Sequence, residues 1–538
     1  MFRRAMLSTV AVVAAAGLGA AAPIETRVVV TLAASLTGHV SGRLLIFVKA
    51  KARPDGDASN VDLGPDGVSV AARDVADLDA GRAFVIDTAK LAYPASFATL
   101  PPGDYRVQAV LDRNGDYNYR GRGPGDWVSK VVTVRFPLSS SPTVPLDHEV
   151  PPEPGQFDVG GLPPIAAEQI LSSRSHLHDE RIPSRLLARF HGRLQSVSAW
   201  VLTPPGYDPR GSATYPTVFT AGGFGATHKL DGQHLSRQWH LMETGEIPPM
   251  IWVALDFSTQ TGTTEFADSA SNGPWGQALV QEVIPTLEAR YRMDAVPSGR
   301  FLTGHSSGGW FALWTMVRHP EMFGGGWATS PDPVDFHDFV GVDLYARGAN
   351  MYRDPGGATR PFQRDHGLVS MTVRQAAKLE AVSGHEGGQL RSFEWVFSPR
   401  RKDRSPAYLF DRETGAIEPS VAAYWRSHYD LARILRTSSP SLRKQLDGKV
   451  HIVVGSEDSY YLDGAVRRLD ATFRAVGARG DFRYVPGASH KMSEVYAREG
   501  DRNALWKQIT GEMYAIARPV SPAVPRMPKA SDATVHQH

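Results

Sequence analysis

The sequence contains no cysteine among its 538 residues. Without cysteine the protein cannot form disulfides, use a thiol as a nucleophile or bind zinc through thiolates. It also has little excess charge, because 58 Lys and Arg residues nearly balance 56 Asp and Glu residues and leave a formal net charge of +2. Since the body of the chain also lacks a long basic run, nucleic acid is not expected as a main partner.

Long apolar runs are also scarce, and the one that stands out lies at the N-terminus. Arg3 and Arg4 precede the apolar stretch Leu7 to Ala16, and the small residues after it end before Pro23. This pattern is typical of a secretory signal peptide, and the stretch is short for a membrane span, although an uncut anchor is the alternative. We therefore expect a signal peptide at residues 1–22 and an exported protein, periplasmic or secreted, with no stable membrane span after cleavage.

The length of the chain exceeds that of one ordinary core and indicates about two domains. Residues 23–150 contain short stretches rich in β-branched residues, separated by Gly, Pro, Asp and Asn clusters, which predict an immunoglobulin-like antiparallel β-sandwich. The stretches are "RVVVTLA", "GRLLIFVKA", "RAFVID", "YRVQAVLD" and "SKVVTVRF". Residues 151–190 are rich in proline and irregular, and we interpret them as a linker or strap.

The pattern changes in residues 191–520, where continuous apolar runs such as "MIWVALD" alternate with segments of helical spacing such as "GQALVQEVIPTLEARY". Buried parallel strands alternating with helices predict a doubly wound α/β domain. The strand signal fades between about residues 330 and 446, and we interpret this part as a lid-like insertion. A disordered tail is expected at residues 521–538.

The stretch "FLTGHSSGGW" places a serine, Ser306, between a buried strand and a helix. Gly304 and Gly308 complete the pattern Gly-x-Ser-x-Gly, in which small neighbours allow a sharp turn that exposes the serine hydroxyl at the edge of a sheet. This context predicts that Ser306 is a nucleophile. The alternative is a glycine-rich start of a helix with a capping serine.

A serine nucleophile needs a base and an acid. In a fold of this kind the acid follows the serine along the chain, and the histidine base follows the acid. His490, in a small loop after the strand "FRYVP", is the predicted base, and His428 is a weaker candidate. Asp458 directly follows the strand "HIVVG" and is the predicted acid that orients the imidazole. Glu457 and Asp463 remain alternatives for the acid.

Two backbone N–H groups are predicted to stabilise a developing oxyanion. One belongs to Ser307, directly after the predicted nucleophile. The other belongs to Phe224 in the glycine-rich loop "FTAGGFGATHKL", for which a plain flexible turn is the alternative. Trp275 and Asn272, in "DSASNGPWG", are candidates for lining a substrate pocket, or else form a turn with one packed aromatic residue.

Metal binding has two weak signals. "DRNGDYN" places Asp112, Asn114, Asp116 and Asn118 at alternate positions, as at the start of a calcium loop, but a polar hairpin turn explains the pattern better. "SHLHDE" gathers two histidines and two acids, and a solvated strap explains this group better than a metal site. We expect neither a metal nor a cofactor.

The second domain, roughly residues 190–515, resembles the putative esterase family of α/β-hydrolases. That family includes esterase D, enterochelin esterase-like enzymes, feruloyl and acetylxylan esterases, and mycolyltransferases. The resemblance rests on the segments "YPTVFTAGGFG", "GHSSGGWFALW", "HPEMFGGGWATSP", "VGSEDSYYLDGAVRRL" and "VPGASH".

The resemblance implies an α/β-hydrolase fold with a triad of Ser306, Asp458 and His490, and with Phe224 and Ser307 as oxyanion donors. One difference is the Gly-Gly pair before the phenylalanine, where family members often have His-Gly. Together with the N-terminal signal sequence, the resemblance predicts an exported serine esterase that cleaves a small-molecule or polysaccharide-linked ester through an acyl-enzyme. The alternatives are an acyltransferase or peptidase with the same triad, or a polysaccharide-binding protein without activity. The sequence favours no particular ester and no oligomeric state.

Overall fold

The computed structural model describes most of the chain. The predicted signal peptide, the predicted tail, and Asp116 and Asn118 of the possible calcium loop lie outside the described residues. The described ranges are 25–33, 35–36, 40–50, 68–78, 83–115, 123–152, 155–384 and 386–519.

The N-terminal region forms a nine-stranded sheet in which most neighbouring strands are antiparallel. The strand order is β4-β1-β9-β7-β6-β2-β3-β5, and β8 also pairs with β6. These strands form one connected sheet, whereas a sandwich consists of two packed sheets. The immunoglobulin-like sandwich therefore stays a prediction. The strands are β1 (Arg27–Leu32), β2 (Val40–Ala50), β3 (Ser69–Leu78), β4 (Ala83–Asp87), β5 (Ala92–Tyr93), β6 (Gly103–Asp112), β7 (Trp127–Ser129), β8 (Val132–Phe136) and β9 (Thr143–Glu149).

Strand β2 is buried on both faces. Leu44 and Ile46 lie in the core of the N-terminal region. Leu45 and Phe47, which point to the opposite face as alternate residues of a strand must, belong to the larger core that includes the second region. The continuous apolar run of β2 reflects this burial on two sides.

The second region is built on an eight-stranded sheet with the order β10-β11-β13-β12-β18-β19-β22-β23. The remaining strands form three two-stranded hairpins, β14–β15, β16–β17 and β20–β21. The strands are β10 (Leu177–Pro183), β11 (Ser196–Leu202), β12 (Thr217–Ala221), β13 (Ile251–Leu255), β14 (Ser258–Thr259), β15 (Gly262–Thr263), β16 (Asp268–Ser269), β17 (Gly273–Pro274), β18 (Arg300–His305), β19 (Gly325–Thr329), β20 (Pro361–Asp365), β21 (Leu368–Thr372), β22 (Val450–Gly455) and β23 (Asp481–Val485).

Helices flank this sheet, and four short turns of other helical types accompany them. Among the described residues, none of the helices combines the length and the apolar character needed to cross a membrane. The helices are α1 (Pro164–Ser172), α2 (Arg185–His191), α3 (His228–Glu243), α4 (Trp275–Ala278), α5 (Ile284–Arg290), α6 (Ser307–Arg318), α7 (Val373–Ser383), α8 (Gln389–Phe397), α9 (Pro419–His428), α10 (Leu431–Thr437), α11 (Pro440–Leu446), α12 (Leu462–Ala475), α13 (Met492–Val495) and α14 (Ala504–Ala517). The other turns are the 3₁₀ turns Phe97–Thr99, Pro297–Gly299 and Phe336–Asp338 and the π-helical turn Leu279–Val283.

The predicted doubly wound α/β sheet is confirmed. Strands β10, β11 and β13 pair antiparallel, and the pairs from β13 to β23 are parallel. Every residue of β13 and of β19 is buried, which explains their uninterrupted small and apolar sequences. Because parallel strands end at the same edge, the loops after β12, β13, β18, β19, β22 and β23 meet there.

The chain between β19 and β22, most of which the sequence analysis interprets as a lid-like insertion, contains the β20–β21 hairpin and helices α7 to α11. Helix α7 packs against β3 and β5 of the N-terminal sheet. Arg43 donates to the backbone carbonyl of Val382 at 2.8 Å, and Lys378 donates to that of Pro94 at 2.9 Å. The segment between β19 and β22 therefore contacts the N-terminal sheet through α7, and its role as a lid stays a prediction.

Candidate active site

Ser306 lies in the turn between β18 and α6 and has the backbone angle φ = 58°, which is unfavourable for a residue other than glycine. Close packing forces this turn. A Cβ atom on Gly304 would lie 2.2 Å from the carbonyl oxygen of Gly308, and one on Gly308 would lie 2.1 Å from that of Ala221. Only glycine fits at these two positions, so the spacing of the motif follows from the approach of β12, β18 and α6.

Hydrogen bonds to neighbouring backbone hold Ser306 in this geometry. Its N–H donates to the carbonyl of Thr329 at 3.0 Å, and its own carbonyl accepts from the N–H groups of Trp310 at 3.0 Å and Asp332 at 3.2 Å. The residue is 7% exposed. Its hydroxyl also lies at the N-terminus of α6, where the helix dipole favours negative charge.

His490 and Asp458 come together at the same edge of the sheet. Nδ1 of His490 is 2.8 Å from Oδ2 of Asp458, whose side chain is completely buried. Burial opposes the ionisation of Asp458, but the charge and hydrogen bond of His490, with the N–H of Tyr460, hold the pKa of Asp458 below its ordinary value. The carboxylate is thus charged at neutral pH and oriented toward the imidazole.

The alternative acids and the alternative base have other partners. Asp463 pairs with Arg364 and Arg467, each at 3.4 Å. The carboxylate of Glu457 is partly exposed, and a histidine of the β20–β21 hairpin lies 3.9 Å from it. His428 is on helix α9, where its Nδ1 lies 2.8 Å from the carbonyl oxygen of a tyrosine in the same helix.

The imidazole of His490 is positioned by two aromatic neighbours. The ring of His305, the residue before Ser306, lies 4.6 Å from the His490 ring, and Tyr460 meets it edge-on at 5.0 Å. Burial, with a smaller contribution from the charge of His490, lowers the pKa of His305 to about 3, so His305 is neutral at neutral pH. In the described structure the hydroxyl of Ser306 donates to Oδ1 of Asp332 at 3.4 Å, and no hydrogen bond joins it to His490. Catalytic hydrogen bonds of this kind tighten when a substrate binds.

The predicted oxyanion loop lies against the serine. A Cβ atom on Gly223 would be 3.3 Å from Cβ of Ser306, and Phe224 is the next residue. The N–H of Ala226 donates to the carbonyl of Gly223 at 3.0 Å and closes the loop. Ser307 is the first residue of α6, where backbone N–H groups have no partner within the helix. The structure thus brings both predicted N–H donors close to Ser306, and their role stays a prediction.

Two buried carboxyl groups that the sequence analysis did not single out lie in loops at the sheet edge that carries Ser306. Asp332, after β19, accepts from the hydroxyl of Ser307 at 2.6 Å. Burial raises the pKa of Asp332 to about 6, against the effect of its hydrogen bonds with Ser307 and Ser306. Glu265, after β15, is completely buried, and neither of its carboxylate oxygens has a hydrogen-bond partner. Burial and the charge of Asp332 raise the pKa of Glu265 well above its ordinary value.

The only sequence signal for these acids is their position, since each lies in a loop that begins at the carboxyl end of a strand of the sheet, β13 or β19, where α/β proteins bind ligands. No periodic or spaced motif marks them, because the two are brought together by the fold.

The buried state of Glu265 predicts a pH-dependent gain of stability in Glu265→Gln. A carboxyl whose pKa is raised on folding costs stability once the pH exceeds its pKa in the unfolded chain, and the amide removes this cost. We expect the variant to raise Tm at pH 8 by about 1 to 3 °C over the wild type and to give no gain near pH 4. Thermal unfolding followed by circular dichroism at both pH values checks this, and an equal shift at both would contradict it.

Asn272 lies in the segment between β13 and α4 that also contains Glu265, and Trp275 is the first residue of α4; both are buried. The indole N–H of Trp275 donates to the carbonyl of Asn272 at 2.9 Å, and its ring meets the ring of Phe266 edge-on at 6.0 Å. Oδ1 of Asn272 accepts from Thr261 at 3.3 Å. Both residues thus make contacts within this segment, and their role in binding substrate stays a prediction.

One group of three potential metal ligands occurs in the described part of the chain, formed by His451, Asp481 and Glu512. Arg483 contacts both carboxylates, and its contact with Glu512 is 2.9 Å. Since the guanidinium already pairs with both acids, an ion-pair network explains this group. Asp112, of the possible calcium loop, accepts from the N–H of Gly115 at 2.8 Å, as in a polar turn.

Comparison with known proteins places residues 195–508, more than half of the chain, within the model of the putative esterase family. No curated protein matches the chain. Among solved structures, it is similar to a ferulic acid esterase from Anaeromyces mucronatus in complex with ferulic acid, at 14% identity over 64% of this chain and 89% of that chain, with a TM-score of 0.32. A mutant feruloyl esterase module from Clostridium thermocellum complexed with sinapinate is 17% identical over 62% and 87%, with a TM-score of 0.32. An S-formylglutathione hydrolase from Agrobacterium tumefaciens is 16% identical over 64% and 95%, with a TM-score of 0.33.

Proposed function

Since the chain belongs to the putative esterase family, we propose that it is a serine hydrolase that cleaves carboxylic esters through an acyl-enzyme. The observation that carries the proposal is the arrangement at one edge of the sheet. There, Ser306 lies in a strained turn beside the pair of His490 and Asp458, in which Nδ1 of the histidine is 2.8 Å from Oδ2 of the aspartate. A histidine oriented by a buried carboxylate is the base that a serine hydroxyl needs.

The proposed reaction uses each group in turn. Because Nδ1 of His490 faces Asp458, Nε2 is the nitrogen that takes the proton from Ser306 as its oxygen attacks the ester carbonyl. The N–H groups of Phe224 and Ser307 would stabilise the oxyanion. His490 then gives the proton to the leaving alcohol, and later removes a proton from the water that hydrolyses the acyl-enzyme. The released products are the alcohol and the free acid.

An acyl-enzyme predicts specific kinetics and a specific modified residue. With p-nitrophenyl acetate we expect a burst of p-nitrophenol that is stoichiometric with the enzyme, provided that hydrolysis of the acyl-enzyme is the slower step. A fluorophosphonate should add to the peptide of Ser306, and fragmentation in the mass spectrometer should place it on Ser306 and not on Ser307. Modification of Ser307 instead would reject the proposed nucleophile.

The pH dependence tests the base. We expect kcat/KM for the same ester to fall as the pH is lowered from about 8 to about 5, because the imidazole must be unprotonated to accept the serine proton. Stopped-flow or steady-state rates across this range, with a buffer-only correction, measure the change. A profile that stays flat down to about pH 4 would rule out a histidine base.

We also propose that the protein is exported, on the basis of the N-terminal sequence, and that its ester is a small molecule or linked to a polysaccharide. N-terminal sequencing of the protein from the periplasm or medium should show cleavage shortly before Pro23. An intact N-terminus on the mature protein would contradict this.

A further inference from the structure

The loops at the sheet edge that carries Ser306 contain two buried carboxyl groups, of Asp332 and Glu265, for which the described residues supply no lysine or arginine partner. Oδ1 of Asp332 lies 3.4 Å from Oγ of Ser306, and Oδ2 accepts from Ser307 at 2.6 Å. Asp332 is 2% exposed, and its N–H donates to the backbone carbonyl of Ser306 at 3.2 Å. A carboxyl is thus fixed, within the protein interior, next to the atom that we propose attacks the ester.

Glu265 adds a second carboxyl with unused hydrogen-bonding capacity. Its side chain is 0% exposed, and both of its oxygens lack a partner. The next residue, Phe266, packs its ring 5.4 Å from the ring of Phe311 on α6, which places this loop against the helix that begins after Ser306. The loop that carries Glu265 begins after β13 and Asp332 follows β19, so both carboxyl groups belong to loops at the same edge of the sheet.

A buried carboxylate without a partner is costly, and two of them in one site repel each other. This cost is removed when a ligand supplies a positive charge with N–H donors, since charge-assisted hydrogen bonds are the strongest ones available to a carboxylate. A metal ion fits less well, because hard cations take six or more oxygen ligands and the site offers two carboxyl groups. An ammonium group needs no more than a few acceptors.

We propose that Glu265 and Asp332 form a subsite for an ammonium group on the acyl part of the substrate, next to the scissile carbonyl. The preferred esters are then those of α-amino acids or of other acyl groups with a cation at that position. The proposal rests on the proposed esterase function. Its geometry is direct, because the amino nitrogen of such an ester is two bonds from the carbonyl carbon, and Asp332 is in hydrogen-bonding range of the oxygen that attacks this carbon.

The test compares the p-nitrophenyl esters of alanine and propionic acid, which differ by one ammonium group. The intrinsic reactivities of the two esters cancel when the ratio of their kcat/KM values is compared between wild type and Glu265→Gln at the same pH. We expect the variant to lower this ratio by about 10- to 100-fold, the usual effect of losing a hydrogen bond to a charged group. Hydrolysis of the propionyl ester should change by less than about threefold, because no cation is involved.

Glu457→Gln is the matched control, since it makes the same change of side chain at a partly exposed loop position beside Asp458. Its ratio should equal that of the wild type. Asp332→Asn is the second variant if Glu265→Gln does not fold, and it should lower the same ratio.

The possible outcomes separate the subsite from the esterase function. If wild type hydrolyses both esters and Glu265→Gln leaves the ratio unchanged, the subsite is wrong and the esterase function stands. If wild type hydrolyses neither ester, the esterase function itself fails. If EDTA lowers the wild-type rate with both esters and Glu265→Gln removes that sensitivity, the carboxyl pair binds a metal ion, and the ammonium subsite is overturned.

Discussion

Ser306→Ala is expected to lower kcat/KM for p-nitrophenyl esters by about 10⁴-fold or more, to the rate that binding and the oxyanion donors provide alone. The reason is geometric. Ser306 is the residue in the strained turn, with φ = 58°, and its N–H, its carbonyl and its hydroxyl all have partners that fix it at the sheet edge. Rates measured with short and long acyl chains would also show the preferred chain length.

The control for this prediction is Ser427→Ala, which removes a hydroxyl from helix α9. Ser427 contacts His428, the weaker base candidate of the sequence, with 2.8 Å between Oγ and Nδ1. We expect this variant to keep the wild-type rate within about twofold, because exposed polar groups away from a site contribute little. Equal activity of Ser306→Ala and wild type would mean that Ser306 is a turn residue only.

Both variants should be checked for folding by thermal unfolding. Alanine at position 306 needs the same positive φ as serine, so the strain is retained and the fold should not change. A loss of activity with an unchanged Tm then reports on the hydroxyl group alone.

The parts of the site that the sequence could predict are those encoded locally. The residue types predict the strand, the sharp turn and the helix around Ser306. Gly304 and Gly308 are required because a Cβ atom on either would lie 2.2 Å or less from a backbone oxygen. The sequence favours Asp458 as the acid of the triad but leaves its neighbour Glu457 as an alternative. The structure separates them, since the hydrogen bond of His490 goes to the completely buried Asp458.

Glu265 and Asp332 could not be predicted, because nothing local distinguishes a buried acid from a solvated loop carboxylate. Their environment arises from the loop after β13 packing on α6, a contact between residues that are far apart in the chain, such as Phe266 and Phe311. The sequence drew attention to this same loop through Trp275, which the structure packs against Phe266.

The contact between the N-terminal sheet and α7 could not be predicted from the sequence either. The apolar character of Leu45 and Phe47 shows that both faces of β2 are buried, but it does not show by what. Arg43 supplies the specific part of the interface by donating to the backbone carbonyl of Val382. Because α7 and the β20–β21 hairpin belong to the same segment, and Arg364 of the hairpin donates to the carbonyl of Asp458 at 2.9 Å, this segment links the N-terminal sheet to the loop of Asp458.

Asp458→Asn is the second variant with a large expected effect, a loss of about 10²- to 10⁴-fold in kcat. Asparagine keeps the size of the side chain and can still accept from the N–H of Tyr460, now 2.9 Å from Oδ1. It can present its amide N–H₂ to Nδ1 of His490, which then holds the proton on Nε2, the wrong nitrogen for accepting the serine proton. It also removes the charge that stabilises the imidazolium. KM should change little, because Asp458 is completely buried behind the imidazole.

Glu457→Gln is again the matched control, and its kcat should stay within about twofold of the wild type. If instead Glu457→Gln lost activity and Asp458→Asn kept it, the acid of the triad would be reassigned.

The stability of Asp458→Asn gives an independent measurement of the charge of Asp458. The pKa of Asp458 is lowered in the folded protein, so its contribution to stability is present at neutral pH and is lost as the pH falls through that lowered pKa. Asp458→Asn should therefore lower Tm at pH 7 and lower it less near pH 3, whereas a difference that is equal at both pH values would mean that the charge of Asp458 does not stabilise the fold.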